Sequence, residues 1–311
     1  MKVLVAGATG VVGRPLLAQL RERDHEVIGT SRNEARAQDL RELGAEPAVC
    51  DALDAAVVRR VVDEHRPDVI VNQLTALSAP FNPRRYEQWL EPTNELRSVG
   101  TRNLVNAARE AGTPRLISQS IAFAYAWDGE GLKTEDDPLF GLDLGFADAV
   151  RALRELERLT LQTPEVSGTV LRYGYFYGPG TAYAPDGDVA RMIRRRAFPI
   201  VDGGTGVFSF IHVEDAASAT VAAIERGTSG VFNVVDDEPA PMREWLPVVA
   251  AALGARRPLR VPLWLARLAG GRFVAEAAVR MRGASNDKAK RELGWTLRWP
   301  SWRQGFAEAA G

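Results

Sequence analysis

Three glycines spaced by three, Gly7, Gly10 and Gly13, follow a short apolar run and open an amphipathic one. The chemistry this spacing suits is anion recognition. A sharp turn needs residues tolerant of positive φ, close approach of a diphosphate needs a missing side chain, and a helix start offers free N–H groups. Thr9, Val11 and Val12 complete the loop and are expected against the same diphosphate. The second apolar run ends Ile28-Gly29-Thr30-Ser31-Arg32, with no carboxylate to grip an adenosine ribose diol. Ser31, Arg32 and Arg36 could instead meet a 2′-phosphate, whose charge suits a guanidinium fork. NADP(H) is therefore favoured and NAD(H) is the alternative; the competing reading leaves Arg32 as an exposed loop residue. Asp51 either accepts the adenine amino proton, with Ala52 beside it, or serves as a turn or helix-capping residue. Leu74 and Thr75, after the fourth apolar run, are expected beside the diphosphate and the nicotinamide ribose.

Ser120 ends the fifth run, on the edge where crevice chemistry occurs in an open α/β sheet, and is a candidate to polarise a carbonyl. Tyr125 follows on the loop. Tyr173, Tyr175 and Tyr177 are spaced by two. Tyr173 is expected to abut the nicotinamide, and Tyr175 is a candidate phenol for proton transfer. His25, His65 and His212 are scattered with no metal-ligand spacing, so no metal is expected.

The elements that must position these residues alternate short β-branched runs with helical stretches: strands at 2–6, 26–30, 47–50, 68–71, 115–119 and 168–172, a seventh at 231–235, and helices between them, the longest at 94–111 and 147–163. Strands without polar alternation belong to a parallel sheet covered on both faces. The fold expected is α/β, a Rossmann-type doubly wound, mostly seven-stranded parallel sheet with a small C-terminal substrate lobe. Residues 1–172 form the dinucleotide domain and 207–235 return to it, while 173–206 and 236–311 form the lobe. A chain of 311 residues suits this size, and 46% hydrophobic with 25% charged residues excludes fibrous and disordered classes. The net charge of -1 gives no field to hold nucleic acid. The single cysteine, Cys50, allows no intrachain disulfide and suits a reducing, cytoplasmic setting. The N-terminal run reads as strand and loop, not as a leader, and no apolar stretch is long enough to span a membrane.

Several motifs together resemble the extended short-chain dehydrogenase/reductase family, which includes NAD-dependent epimerases and dehydratases. GATGVVG is similar to its nucleotide loop, GTRNLVNAA from Gly100 to its fourth-helix motif, and Ser118-Gln119-Ser120 to the end of its serine strand. LRYGYFYGPG from Leu171, FIHVEDAA from Phe210 and AKRELGW from Ala289 extend the resemblance over nearly the whole chain. It implies a nicotinamide cofactor with Ser118 near it, Ser120 as the serine that orients a carbonyl, a small-molecule substrate, and a homodimer through the helices at 94–111 and 147–163.

The family pairs that serine with Tyr-x-x-x-Lys on a later helix, where tyrosine moves the proton and lysine lowers its pKa and holds the ribose. Here the helix begins Gly145-Phe146-Ala147-Asp148-Ala149-Val150-Arg151, and both members are missing. None of the six tyrosines, at 86, 125, 173, 175, 177 and 183, is followed by Lys at the fourth position. Phe146 cannot move a proton, and Arg151 could at most preserve positive charge near the ribose. Three functions fit this pattern. The first is an atypical NADPH-dependent ketoreductase for a medium-sized aromatic or polyketide-like substrate, its proton coming from water, substrate or a relocated tyrosine. The second is an epimerase, dehydratase or isomerase with a relocated acid or base. The third is a non-catalytic dinucleotide sensor or scaffold.

Overall fold

The computed structural model describes residues 1–77, 85–141 and 146–308. The chain begins with β1 (Lys2–Ala6), α1 (Gly13–Glu22), β2 (Glu26–Ser31), α2 (Ala37–Glu42), β3 (Glu46–Val49), α3 (Ala55–His65) and β4 (Val69–Asn72). It continues with α4 (Tyr86–Glu95), α5 (Thr101–Ala111), β5 (Arg115–Ile121), α6 (Ala147–Gln162) and β6 (Ser167–Tyr173). Next come β7 (Tyr175–Tyr177), α7 (Asp188–Arg194), β8 (Ile200–Val201), β9 (Val207–Phe208), β10 (Phe210–His212), α8 (Val213–Arg226) and β11 (Gly230–Val234). The last part holds β12 (Ala240–Pro241), α9 (Met242–Ala252), β13 (Arg260–Val261), α10 (Leu263–Gly270), α11 (Arg272–Arg280), α12 (Asp287–Leu293) and α13 (Trp302–Glu308).

Seven strands form one sheet in the order β11-β6-β5-β4-β1-β2-β3, every neighbouring pair parallel. The doubly wound α/β fold expected from the apolar runs is the fold observed. Alternation along β1 shows why its strands carry no polar stripe. Val3 and Val5 pack with Leu16, Leu20 and Ala216 on one face, while Leu4 and Ala6 pack with Val58, Val61 and Leu104 on the other. Local signals end the helices where the core no longer holds them. Asp54 accepts the Ala56 and Val57 N–H groups at 2.9 and 3.1 Å to start α3, and Gly112 at φ 72° closes α5.

One helix differs from expectation. The segment expected as a helix from 94 begins at Tyr86, runs through Pro92, and passes a π-helical turn at Leu96–Gly100 before α5. Pro92 has no N–H to give to the preceding turn, and the wider turn follows it directly.

Beyond β6 the chain leaves the sheet at Gly174, where a Cβ would stand 2.6 Å from the Ser209 carbonyl oxygen. That close approach lets β7 pair with β10. An aromatic core includes Tyr177, Phe210, Trp245 and Trp302, and it is continuous with Phe146, Val150 and Ile121 at the carboxyl end of β5. Among the described residues no helix is long and apolar enough to cross a membrane, and no cluster of three or more His, Cys, Asp or Glu could hold a metal.

Candidate active site

Strand order reverses between β1 and β4, which opens a crevice at the carboxyl ends of the strands, where the glycine loop lies. Gly7 takes φ 88°, and a Cβ there would meet the Gln73 carbonyl oxygen at 2.5 Å. A Cβ on Gly13 would meet the Ala8 oxygen at the same 2.5 Å. Gly10 closes the turn by donating its N–H to the Gly7 carbonyl at 3.0 Å. Thr9 and Val11 face outward and Val12 is buried beneath them. The first turn of α1 carries no acid and no side-chain cap; Pro15 has no N–H and Arg14 gives its own to the Gly10 carbonyl at 3.1 Å, so of its first three residues the Gly13 N–H is the donor left to an anion. This cradle, which side chains would fill, fits a dinucleotide diphosphate.

The tip of β2 matches the expected 2′-phosphate region in part. Ser31 Oγ and the Asn33 backbone hold each other at 3.2 Å. Arg32 is exposed and makes no ion pair among the described residues. Arg36 is drawn to Asp39 at 3.4 Å, a carboxylate that Arg14 shares at 3.4 Å. Asp51 is exposed and its Oδ1 accepts the Leu53 N–H at 3.1 Å, the turn role. Ala52 is buried, and its carbonyl accepts from Asn103 at 2.9 Å. After β4, Asn72 Oδ1 takes the Leu74 N–H at 3.2 Å while its amide donates to Thr101 at 2.9 Å. That clamp sets Leu74 and the exposed Thr75 at the crevice floor.

The residues expected to handle a carbonyl or its proton are engaged elsewhere. Ser120 is buried and its Oγ donates to Glu157 Oε1 at 2.7 Å. Glu157 in turn forms two bonds with Arg172, at 2.9 and 2.7 Å. Arg172 donates to the Tyr125 hydroxyl at 2.7 Å, and Tyr125 donates to Asn233 at 2.6 Å. Ser120 and Tyr125 are thus two members of one buried network beneath α6, in which their hydroxyls donate to Glu157 and Asn233. Burial pushes the Tyr125 phenol up to about 12, against the pull of Arg172. Ser118 is fully buried and accepts from Thr160 at 2.8 Å. Tyr173 lies behind the β4 loop, its hydroxyl 2.6 Å from Thr220 Oγ1 and accepting from Gln73 at 3.1 Å. Through Gln73 it supports the loop after β4. Tyr175 stacks on Phe123 at 4.2 Å and its hydroxyl faces the Met281 sulfur, with burial holding the phenol well above its ordinary value.

An aromatic wall stands at the head of α6. Phe146 stacks on Phe273 at 4.3 Å and on Tyr86 at 5.6 Å, and Trp127 and Phe140 close the cluster edge to face at 4.8 Å. Val150, one turn on, is fully buried. No cation replaces the missing lysine on this helix: Arg151 is exposed and paired with Asp148. Lys133 is held by the Asp128 carbonyl at 2.6 Å and by Asp137 at 3.1 Å. The buried cation beside the wall is Arg97, on the π-helical turn, missed in the sequence reading. Leu90, Thr93, Leu96, Gly100, Thr101 and Leu104 form a buried helical stripe. An arginine inside that stripe was the available signal.

The parallel sheet, its switch-point crevice and the glycine cradle define a Rossmann-type dinucleotide enzyme. The chain belongs to the NAD dependent epimerase/dehydratase family, whose model matches residues 3–234, and it is an NAD(P)-dependent oxidoreductase with a nicotinamide cofactor. It is 46% identical over 310 residues to a 3-diazoavenalumate denitrifying reductase of Streptomyces sp, covering 98% of this chain and 99% of that protein. A 4-hydroxy-2-methyl-3-oxo-4-farnesyl-3,4-dihydroquinoline-1-oxide ketoreductase of Stigmatella aurantiaca is 28% identical, covering 96% and 92%. Among solved structures, UDP-glucose 4-epimerase of Thermus thermophilus with NAD shares the fold at TM-score 0.75 and 22% identity, covering 100% of this chain and 98% of that one. The human epimerase family protein SDR39U1 with NADPH does so at TM-score 0.74 and 23% identity, covering 100% and 99%.

Proposed function

We propose that this chain is an NADPH-dependent denitrifying reductase, placing a hydride on the ring carbon of an aromatic diazonium acid as its nitrogen leaves. The observation that carries this reading is the aromatic stack of Phe146, 4.3 Å from Phe273, where the family resemblance requires the proton-moving tyrosine. Reduction of a ketone produces an alkoxide that must take up a proton, whereas exchange of dinitrogen for hydride needs none. A bound nicotinamide would supply the hydride with its electron pair; the C–N bond would break with its pair going to nitrogen, and N2 would leave uncharged. What remains for the protein is positioning and protection. Phe146, Phe273 and Tyr86, stacked on one another, make an apolar wall that would keep water from a diazonium carbon. The relative's name specifies a diazo compound, a carboxylate and removal of its nitrogen by reduction, and similarity along nearly its full length supports carrying that chemistry over.

The test is isotopic. With NADPH deuterated on one face of C4, the product of an aryl diazonium carboxylate is expected to carry deuterium on the carbon that lost nitrogen. One N2 should appear per dinucleotide oxidised, and with unlabelled NADPH in D2O that carbon should gain no label. Transfer from only one face separates the enzymatic reaction from one in free solution. Solvent-derived label, or turnover confined to ketones, would reject the proposal in favour of carbonyl reduction.

The preference for NADPH rests on Ser31 and the exposed Arg32 with no acid at the tip of β2. Arg32→Ala is expected to weaken NADPH binding by about 1–3 kcal/mol and leave NADH binding unchanged. Fluorescence titration of both dinucleotides checks this, and equal loss for the two would contradict a 2′-phosphate contact.

A further inference from the structure

We infer that Arg97 is the anchor for the carboxylate of the substrate, an assignment that rests on the diazonium-acid reading and specifies how the crevice orients such a molecule. Among the described residues two guanidinium groups are buried to the same degree, Arg172 at 5% and Arg97 at 6% exposure. Arg172 is satisfied by three short bonds, two to Glu157 at 2.9 and 2.7 Å and one to Tyr125 at 2.7 Å. Arg97 has one bond to a side chain of its own helix, Asn94 Oδ1 at 3.3 Å, and no carboxylate partner among the described residues. A guanidinium carries five N–H donors, and since no Arg97 nitrogen is among the enclosed side-chain atoms without a partner, the donors that Asn94 does not meet are open to solvent. A buried cation without a counter-charge is costly, and such groups concentrate where a ligand completes them.

The place of Arg97 suits a substrate. Its π-helical turn ends at Gly100, where a Cβ would be 3.5 Å from the Leu74 side chain at the crevice floor. Tyr86 opens the helical segment that carries Arg97, and the Arg97 charge offsets part of the burial that raises the Tyr86 phenol to about 12. The Tyr86 ring stacks on both Phe146 and Phe273 at 5.6 Å. Burial lowers the guanidinium to about 10, so it stays charged at neutral pH. The extra residue of a π-helical turn re-aims the side chains around it, a recurrent feature of functional sites.

A planar fork with donors to spare near an apolar aromatic wall suits a carboxylate attached to a conjugated ring. The same positive charge repels a diazonium. It therefore favours the orientation in which the acid sits at Arg97 and the diazonium carbon lies away from it.

Calorimetric titration with cinnamate and with its methyl ester, each in the presence of NADP+, tests the anchor without any diazo chemistry. The wild-type protein is expected to bind the acid about 10- to 100-fold more tightly than the ester. Arg97→Gln should erase that ratio while leaving ester and NADPH affinity unchanged, and Arg97→Lys should keep about a tenth to a third of the acid's affinity. Melting temperatures of both variants establish that they are folded. Should Arg97→Gln not fold, the wild-type ratio and Arg97→Lys still decide. Equal binding of acid and ester by the wild type overturns the assignment, as does an acid preference that survives in Arg97→Gln. A tenfold loss of NADPH affinity in that variant would assign Arg97 to the cofactor instead. Acid selectivity through Arg97 without dinitrogen release would retain the anchor and reject the denitrifying reaction; the opposite pattern would do the reverse.

Discussion

Glu157→Ala is expected to lower the unfolding free energy by about 3–5 kcal/mol, because it strands the Arg172 guanidinium in the protein interior. Both partners are almost fully buried, with side-chain exposures of 9% and 7%, and their bond is 2.7 Å. The Tyr125 hydroxyl would be the main acceptor left to Arg172, and a neutral oxygen does not balance a buried cation. Removing both charges is a different matter. The pair Glu157→Met with Arg172→Met is expected to recover to within about 2 kcal/mol of the wild type, since apolar side chains of similar volume carry no desolvation penalty. Urea denaturation of the single and double variants provides the comparison. A single-variant loss below about 1 kcal/mol would mean that water reaches the pair and supplies what Glu157 gave. Ser120→Ala removes only one donor to the same carboxylate, so a loss near 1 kcal/mol and an unchanged hydride step are expected.

Gly7→Ala is expected to abolish measurable dinucleotide binding, a fall of more than about 100-fold. Two effects combine at this position. A φ of 88° disfavours any side chain, and the added Cβ would stand 2.5 Å from the Gln73 carbonyl oxygen, part of a buried strand end that cannot retreat. Gly112→Ala separates the two effects. It has φ 72° but nothing within 4 Å of the new Cβ, so it should lose about 1 kcal/mol of stability and keep its dinucleotide affinity. Gly13→Ala supplies the other half, a clash 2.5 Å from the Ala8 oxygen. Titration of NADPH against the three variants, with melting temperatures alongside, ranks the contributions. Retained binding in Gly7→Ala would show that the β4 loop yields and that the cradle is not fixed by backbone packing.

The glycine cradle was legible because every part of it is local: spacing, apolar strand before, amphipathic helix after. The exposed Arg32 and the turn at Asp51 follow from neighbours a few residues away. The network around Ser120 and Tyr125 was not legible, for the opposite reason. A strand-end serine can face the crevice or the helix packed over the sheet, and Glu157 lies 37 residues away from its partner in sequence. The network that takes up both hydroxyls is assembled from β5, α6, β6 and β11, which no spacing rule connects. Tyr173 was drawn away by Gln73 and Thr220 in the same manner, across 100 and 47 residues.

By itself, then, the sequence determined the parallel sheet, its strands to within two residues at either end, the dinucleotide loop and the loss of the tyrosine and lysine, all of which depend on residue type and short-range periodicity. The tertiary structure alone decided what fills the vacated position. Phe146 from the head of α6, Tyr86 from α4 and Phe273 from α11 meet because three segments distant in sequence pack together at the carboxyl end of β5. The charge of Arg97 could be read in the chain, but its burial without a carboxylate among the described residues could not, since whether an ion has a partner depends on every element folded around it.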